Sequence, residues 1–223
     1  MINGIRATAL LLLAGVSATA SASDYTYLQT DWIAAGDIDR SGLNSGFTEE
    51  YDGFAAEGAI SLLPGLFVQA RYDDIEGERS SDARFIQLGA GVNHDLGQYL
   101  SLVVDYDLAL DAYALASYKD IDTDGASGDG LGVSGGLRWH PVPTLEINPS
   151  VGYVDYDELD DSTATLSGFR YALRGLFNVT PQIALTAAYQ ITALDLELAA
   201  RETDLDFEKE FRLGVRYYFT ASE

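Results

Sequence analysis

The sequence predicts an all-β fold: a transmembrane antiparallel up-and-down β-barrel of about ten strands, with eight as the alternative count. Three observations carry this expectation. Apolar and polar residues alternate with a period of two in segment after segment, which is the signature of extended chain with two unlike faces. The connections between those segments alternate between tight Pro- or Gly-bearing turns and longer acidic stretches. Beyond the N-terminal stretch nothing resembles the ~20 apolar residues of a spanning helix, so residence in a membrane would have to come from strands.

The first segment reads as an address label. Arg6 gives a weakly positive start, Ala7 to Val16 form a short apolar run, and Ala18-Thr19-Ala20 and Ala20-Ser21-Ala22 both fit the A-x-A cleavage pattern. Residues 1–22 are therefore expected to be an export signal, leaving 23–223 as one barrel domain. The chain of 223 residues has 14 Tyr, 22 Gly and one Met, a composition suited to aromatic-rich strands with close approaches. It has no Cys, which rules out disulfides and thiolate metal sites. With 13 basic and 35 acidic residues the formal net charge is -22. A field of that sign repels nucleic-acid phosphate, so nucleic acid is excluded as a partner. It also repels anionic lipid head groups unless divalent cations bridge the two.

Taken in chain order, the segments begin with weak alternations at Leu28 to Ala34 and Phe54 to Leu62. A clearer one follows: Leu66, Val68, Ala70 and Tyr72 interleave with Gln69, Arg71 and Asp73. Ile86 to Val92 is weak again, whereas Leu100, Leu102, Val104, Tyr106, Leu108 and Leu110 alternate with Ser101, Asp105, Asp107 and Asp111. Leu131, Val133, Leu137 and Trp139 interleave with Gly132, Ser134, Gly136 and Arg138, and Leu145 to Tyr153 is a weaker case. Phe169, Tyr171, Leu173, Phe177 and Val179 alternate with Arg170, Ala172, Arg174 and Asn178. Ile183, Leu185, Ala187, Tyr189 and Ile191 do so with small and polar residues. The last segment is the most regular: Phe207, Lys209, Phe211, Leu213, Val215, Tyr217 and Phe219 against Glu208, Glu210, Arg212, Gly214, Arg216 and Tyr218.

Leu63-Pro64-Gly65, Asp95-Leu96-Gly97-Gln98, His140-Pro141-Val142-Pro143 and Val179-Thr180-Pro181-Gln182 read as tight turns. Asp37 to Gly46, Asp73 to Asp82, Tyr118 to Gly130, Asp155 to Thr163 and Ala199 to Asp206 read as longer acidic loops. Short turns on one side and longer loops outside are how barrels of the outer membrane are built. A soluble sandwich is disfavoured, because large aromatics on one face of ten strands would overfill a small interior, whereas small and charged faces fit it.

At the C-terminus, Arg212-Leu213-Gly214-Val215-Arg216-Tyr217-Tyr218-Phe219 resembles the assembly signal of bacterial outer-membrane proteins, with Arg212, Gly214, Tyr217 and Phe219 at the signal positions. The aromatic is not terminal, since Thr220 to Glu223 follow. Taken whole, the mature chain resembles the small outer-membrane β-barrels of the OmpA/OmpX kind. That resemblance implies residence in the bacterial outer membrane, contact with lipid and lipopolysaccharide, and handling by the barrel-assembly machinery, as a monomer. It implies no residue-level function.

Within such a barrel the lumen-facing charges are expected to be Asp31, Glu57, Asp105, Asp107, Asp111, Glu208 and Glu210 with Arg71, Arg138, Arg170, Arg174, Arg212 and Arg216. Confined charges must be paired or wet. They form either a salt-bridge network that plugs the barrel or the walls of a narrow pore. The expected function is accordingly a structural or narrow-pore barrel, the alternative being a surface adhesin or a barrel that binds ligands or divalent cations. Asp120, Asp122 and Asp124, followed by Gly125, match the first half of a calcium loop, but Leu131 sits where the bidentate acid belongs. Ca2+ is the one cofactor the sequence suggests. Catalysis is not expected: His94 and His140 both lie beside tight turns, away from the outer rim. Trp32 and Trp139, with Tyr99, Tyr153, Tyr189, Tyr217 and Phe219, suit aromatic girdles.

Overall fold

The computed structural model describes residues 25–41, 47–77, 82–97, 109–123, 127–157, 165–198 and 201–219. The expected export signal lies outside the described residues. Ten strands follow one another: β1 (Tyr27–Ser41), β2 (Phe47–Leu63), β3 (Leu66–Gly77), β4 (Ala83–Asp95), β5 (Ala109–Thr123), β6 (Ser127–Val142), β7 (Leu145–Asp157), β8 (Thr165–Asn178), β9 (Ile183–Leu198) and β10 (Arg201–Tyr218). Each pairs antiparallel with the next, and β1 pairs with β10 from Tyr27↔Tyr218 to Ser41↔Asp204, closing the barrel. Closure leaves no strand edge unpaired, as a sheet in hydrocarbon requires.

The period of two becomes an inside and an outside. Along β9, Ala184, Thr186, Ala188, Gln190, Thr192 and Leu194 are buried, while Leu185, Tyr189 and Ile191 between them are exposed. Trp32, Leu131, Phe169, Leu173, Phe177, Leu213 and Val215 likewise face outward. Trp139, Tyr153, Tyr189, Tyr217 and Phe219 join Trp32 on that outer face, as the girdle reading expects, while Tyr99 lies outside the described residues.

Three boundaries differ from the sequence reading. The strands run on into the acidic stretches, so that Asp37 to Ser41, Asp73 to Gly77, Tyr118 to Thr123 and Arg201 to Asp206 are ladder rather than loop. β2 has 17 residues and β10 has 18, against the ~9–11 that cross the bilayer. The outer ends therefore project as paired ribbons. There the outward residues meet water instead of lipid, so the apolar signal vanishes although the hydrogen-bonded ladder continues. On the turn side, the tight turn expected at Asp95 to Gln98 does not join β4 to β5, because Asp95 at the end of β4 pairs with Asp111 and β5 begins only at Ala109. Most of the alternating run from Leu100 to Leu110 thus falls outside the described residues.

The third difference is a reversal of parity. Ladder registers shift between Ile33 and Asp37 on β1 and between Phe207 and Glu210 on β10, where Lys209 has φ 54°. Bulges of this kind re-aim side chains near barrel rims. Phe207, expected on the same row as Phe211, is turned inward and buried, and Ile38 opposite it is buried too. Gly36 lies within the β1 irregularity, and a Cβ there would sit 2.2 Å from the Tyr51 ring, so glycine is what lets that ring lie flat against the wall.

Candidate functional site

The interior is layered. Towards the outer end, Ile33, Ile38, Tyr51, Ile75, Ala83, Ile121, Val154, Tyr156, Leu166, Leu194 and Phe207 form one buried apolar cluster, with Phe85 packed against it. They come from nine of the ten strands, all but β6. The Tyr51 and Phe85 rings meet Phe207 edge-on, with centroids 6.0 and 6.2 Å away. Near the turn end a smaller layer joins Tyr25, Phe67 and Leu115 with Tyr113. Tyr25 and Phe67 stack at 4.7 Å, and the Arg138 guanidinium lies 4.6 Å from the Tyr25 ring centre. Burial pushes the phenol of Tyr25, which precedes β1, up to about 12.

Between and around these layers lie the charges. Glu57 on β2 is a hub: Tyr27 donates to it at 2.6 Å, and Arg174 on β8 does so at 3.2 Å. Arg71 and Arg216 stand 3.7 and 3.8 Å from the same carboxylate. Arg216 also donates to Gln29 at 2.7 Å and lies 3.8 Å from the Tyr27 ring centre. Asp73 receives two bonds from Arg71, at 2.8 and 3.1 Å, and a third from Arg212, which also grips Glu210. Tyr51 donates to Glu210 at 2.9 Å and so ties the apolar layer to the network. Arg138 forks onto Glu146 at 2.9 and 2.7 Å, with His140 3.3 Å from that carboxylate. Such two-pronged pairs fix geometry as well as charge. Asp31 is held by Thr186 at 2.8 Å and Gln29 at 2.6 Å.

Asp31, Glu57, Arg71, Arg138, Arg170, Arg174, Glu210, Arg212 and Arg216 thus share the interior. Asp111, half-buried, lies on β5 between Asp95 and Arg138 of the neighbouring strands. Asp105 and Asp107 lie outside the described residues, as does the side chain of Glu208. Three members are absent from the set that the sequence predicts. Asp73 stands in register with Gln69 and Arg71 but also opens an acidic stretch that reads as a loop. Lys119 and Glu146 sit on strands whose polarity contrast is weak, though Glu146, Asn148, Ser150 and Gly152 do alternate with Ile147, Val151 and Tyr153. Of the assembly-signal residues, Arg212 and Gly214 face inward, Tyr217 and Phe219 outward. Tyr217 and Phe219 stack edge-on at 5.1 Å, and the Phe219 amide donates to the Thr26 carbonyl.

Asp120 and Asp122 lie in the extended part of β5, beside Ile86 and Arg84 of β4; Asp124 lies outside the described residues. Among the described residues no group of three or more His, Asp or Glu is arranged to hold a metal. The network lines an internal cavity of about 110 Å³, whose walls include Arg71, Lys119, Arg170 and Arg174. A second void of about 20 Å³ adjoins the apolar layer.

A family model described as "Outer membrane protein beta-barrel domain" matches residues 7–219. No curated protein matches the chain. Among solved structures it is similar to the KdgM porin, at 11% identity and TM-score 0.40, over 87% of this chain and 99% of that one. It is also similar to Neisserial surface protein A (15% identity, TM-score 0.34, 86% and 96% covered) and to Ail, the attachment invasion locus protein of Yersinia pestis (12%, 0.34, 87% and 99%). A closed ten-stranded barrel, a lipid-facing apolar row on every wall and a family match over nearly the whole length converge: this chain belongs to the outer membrane protein β-barrel domain family and resides in the bacterial outer membrane.

Proposed function

We propose that the chain is a closed, non-conducting barrel with a structural role in the outer membrane, rather than an open channel or an enzyme. One observation supports this reading: nine of the ten strands contribute buried apolar side chains, among them Tyr51, Ile75 and Phe207, to one cluster towards the outer end of the interior. Ions cross a dry apolar constriction only at high cost, because nothing there replaces their hydration. The charges beneath are largely neutralised in pairs, which suits a rigid wet core better than a conduction path. The two histidines support the non-enzymatic side: His94 immediately precedes the last residue of β4, Asp95, and His140 lies two residues before the last of β6, Val142, both at the turn end. A closed wall without edges favours a monomer. Planar-bilayer recording of the refolded protein tests the reading: no discrete openings are expected from the wild type, and regular openings would overturn it.

The projecting ribbons support a second reading, in which the outer ends contact cationic or cation-bridged ligands such as lipopolysaccharide. Glu50, Asp52, Glu76, Asp82, Asp129 and Asp155 are all exposed there. Calcium titration calorimetry separates the two: measurable heat that disappears when Asp129 and Asp155 are changed to Asn would favour binding, and its absence would remove it.

A further inference from the structure

Among the described residues, the interior on the turn side of the apolar layer holds the acids Asp31, Glu57, Asp73, Asp111, Glu146 and Glu210 and the bases Arg71, Lys119, Arg138, Arg170, Arg174, Arg212 and Arg216. A protein of net charge -22 has placed seven of its 13 basic side chains in its own lumen. Lys119 and Arg170 stand out among them. Arg170 lies within electrostatic reach of Asp73 and Glu210, yet both acids are already gripped by Arg212, and Asp73 by Arg71 as well. Among the described residues neither Lys119 nor Arg170 forms an ion pair or hydrogen bond with a side chain. Both border the cavity of about 110 Å³ and the smaller void beside it. An isolated cation in a confined space needs water or a counter-charge. The larger space has room for several waters or a small ion.

We propose that this cavity binds a small free inorganic anion, of halide to phosphate size, held between the Lys119 ammonium and the Arg170 guanidinium. Glu57 also lines this cavity and Asp73 the smaller void, but both carboxylates are already met by guanidinium groups of Arg71, Arg174, Arg212 and Arg216. The site exists whether or not the barrel conducts, so its test is separate from the bilayer recording. The bound anion supplies a counter-charge to the two cations that no described side chain pairs with. A guanidinium such as that of Arg170 can give an oxyanion two parallel donors, and Lys119, three strands away on β5, adds a point charge.

The test uses full-length mature protein refolded in an uncharged detergent, which excludes lipid phosphate as the source. Urea midpoints are measured against inorganic phosphate, with ionic strength held constant by a bulky organic anion. The wild type is expected to show a saturable rise in midpoint with phosphate, and the dependence should weaken at least tenfold in Lys119→Gln and in Arg170→Gln. In phosphate-free buffer each variant should be at least as stable as the wild type, because a surplus charge has gone; a merely structural role would give the opposite sign. Bromide-soaked crystals should carry an anomalous peak between the two side chains. A flat wild-type response, an equal response in the variants, or a cavity without bromide would overturn the proposal. Should Arg170→Gln fail to refold, Lys119→Gln carries the same comparison.

Discussion

Glu57→Gln is the perturbation that probes the interior network most directly. The substitution keeps shape and hydrogen-bonding capacity, so Tyr27 and Arg174 retain a partner, while the negative charge facing three guanidinium groups is removed. At an effective dielectric of about 20, the Arg174 contact at 3.2 Å corresponds to ~5 kcal/mol, and those of Arg71 and Arg216 at 3.7 and 3.8 Å to a little over ~4 each. Most of that attraction offsets the cost of taking the four charges out of bulk water. What remains when one member of a buried cluster loses its charge is about 3–5 kcal/mol. The assay is urea unfolding in detergent or short-chain lipid, followed by emission of Trp32 and Trp139, which are 58% and 39% exposed on the lipid face and report insertion. With a slope of about 2 kcal/mol per molar urea, a loss of about 3 kcal/mol lowers the midpoint by ~1.5 M. Glu50→Gln on the exposed face is the control and should stay within about 0.5 kcal/mol of wild type. Pairing Glu57→Gln with Arg174→Gln should cost less than the sum of the single changes by more than about 1 kcal/mol. A single-variant loss below about 1 kcal/mol, or strict additivity, would refute the hub.

Other consequences can be checked with the same refolded material. Gly214→Val should lose at least about 2 kcal/mol, since a Cβ there would meet an Asp31 carboxylate oxygen at 2.1 Å and the Thr30 carbonyl at 2.2 Å; a neutral result in the urea assay would show that the wall yields. Leu213→Arg puts a charge on the lipid face between Trp32 and Ala187 and should cost ~2–4 kcal/mol, whereas wild-type stability would place that row away from hydrocarbon. Tyr51→Ala combined with Phe207→Ala should introduce openings in planar bilayers that the wild type lacks; continued silence would mean that the seal lies elsewhere. Phe219→Ala should reduce the amount of assembled barrel in cells, measured by heat-modifiable migration, with little change in the urea midpoint. Equal effects on both would assign Phe219 to packing alone.

How much of this was legible depends on what water and lipid do to each stretch of chain. Where a strand crosses hydrocarbon, as from Ile183 to Ile191 and from Phe211 to Phe219, outward residues must be apolar and inward ones must be small or polar. Alternation then gives both the strand and its facing, and Arg170, Arg174, Arg212 and Arg216 were assigned inward from pattern alone. Beyond the bilayer that contrast is lost, so the acidic stretches that hold Asp73 and Lys119 read as loop although the ladder carries both. β5 is hard for a related reason: Ala112, Ala114 and Ala116 interrupt the greasy row with residues that suit either face. The apolar layer was invisible because Ile33, Ile75 or Ile121 would look the same on lipid or in the lumen. Phe207 shows the limit of counting by twos, since one bulge turns it to the face opposite Phe211. The sole trace of that bulge in the sequence is Lys209, a cation on an otherwise greasy row.

Glu57 meets Arg174 across the bore, from the second strand to the eighth, and Asp73 meets Arg212 from the third to the tenth. Hydrogen-bonded ladders resist stretching around the hoop but offer little against flattening, because a cylinder can become an ellipse without breaking one of them. Chords of opposite charge supply the missing stiffness, so lateral pressure from a crowded membrane must compress ionic struts before the cross-section can change. They also bind early chain to late chain: the first brace cannot engage until the eighth strand has arrived, the second until the tenth.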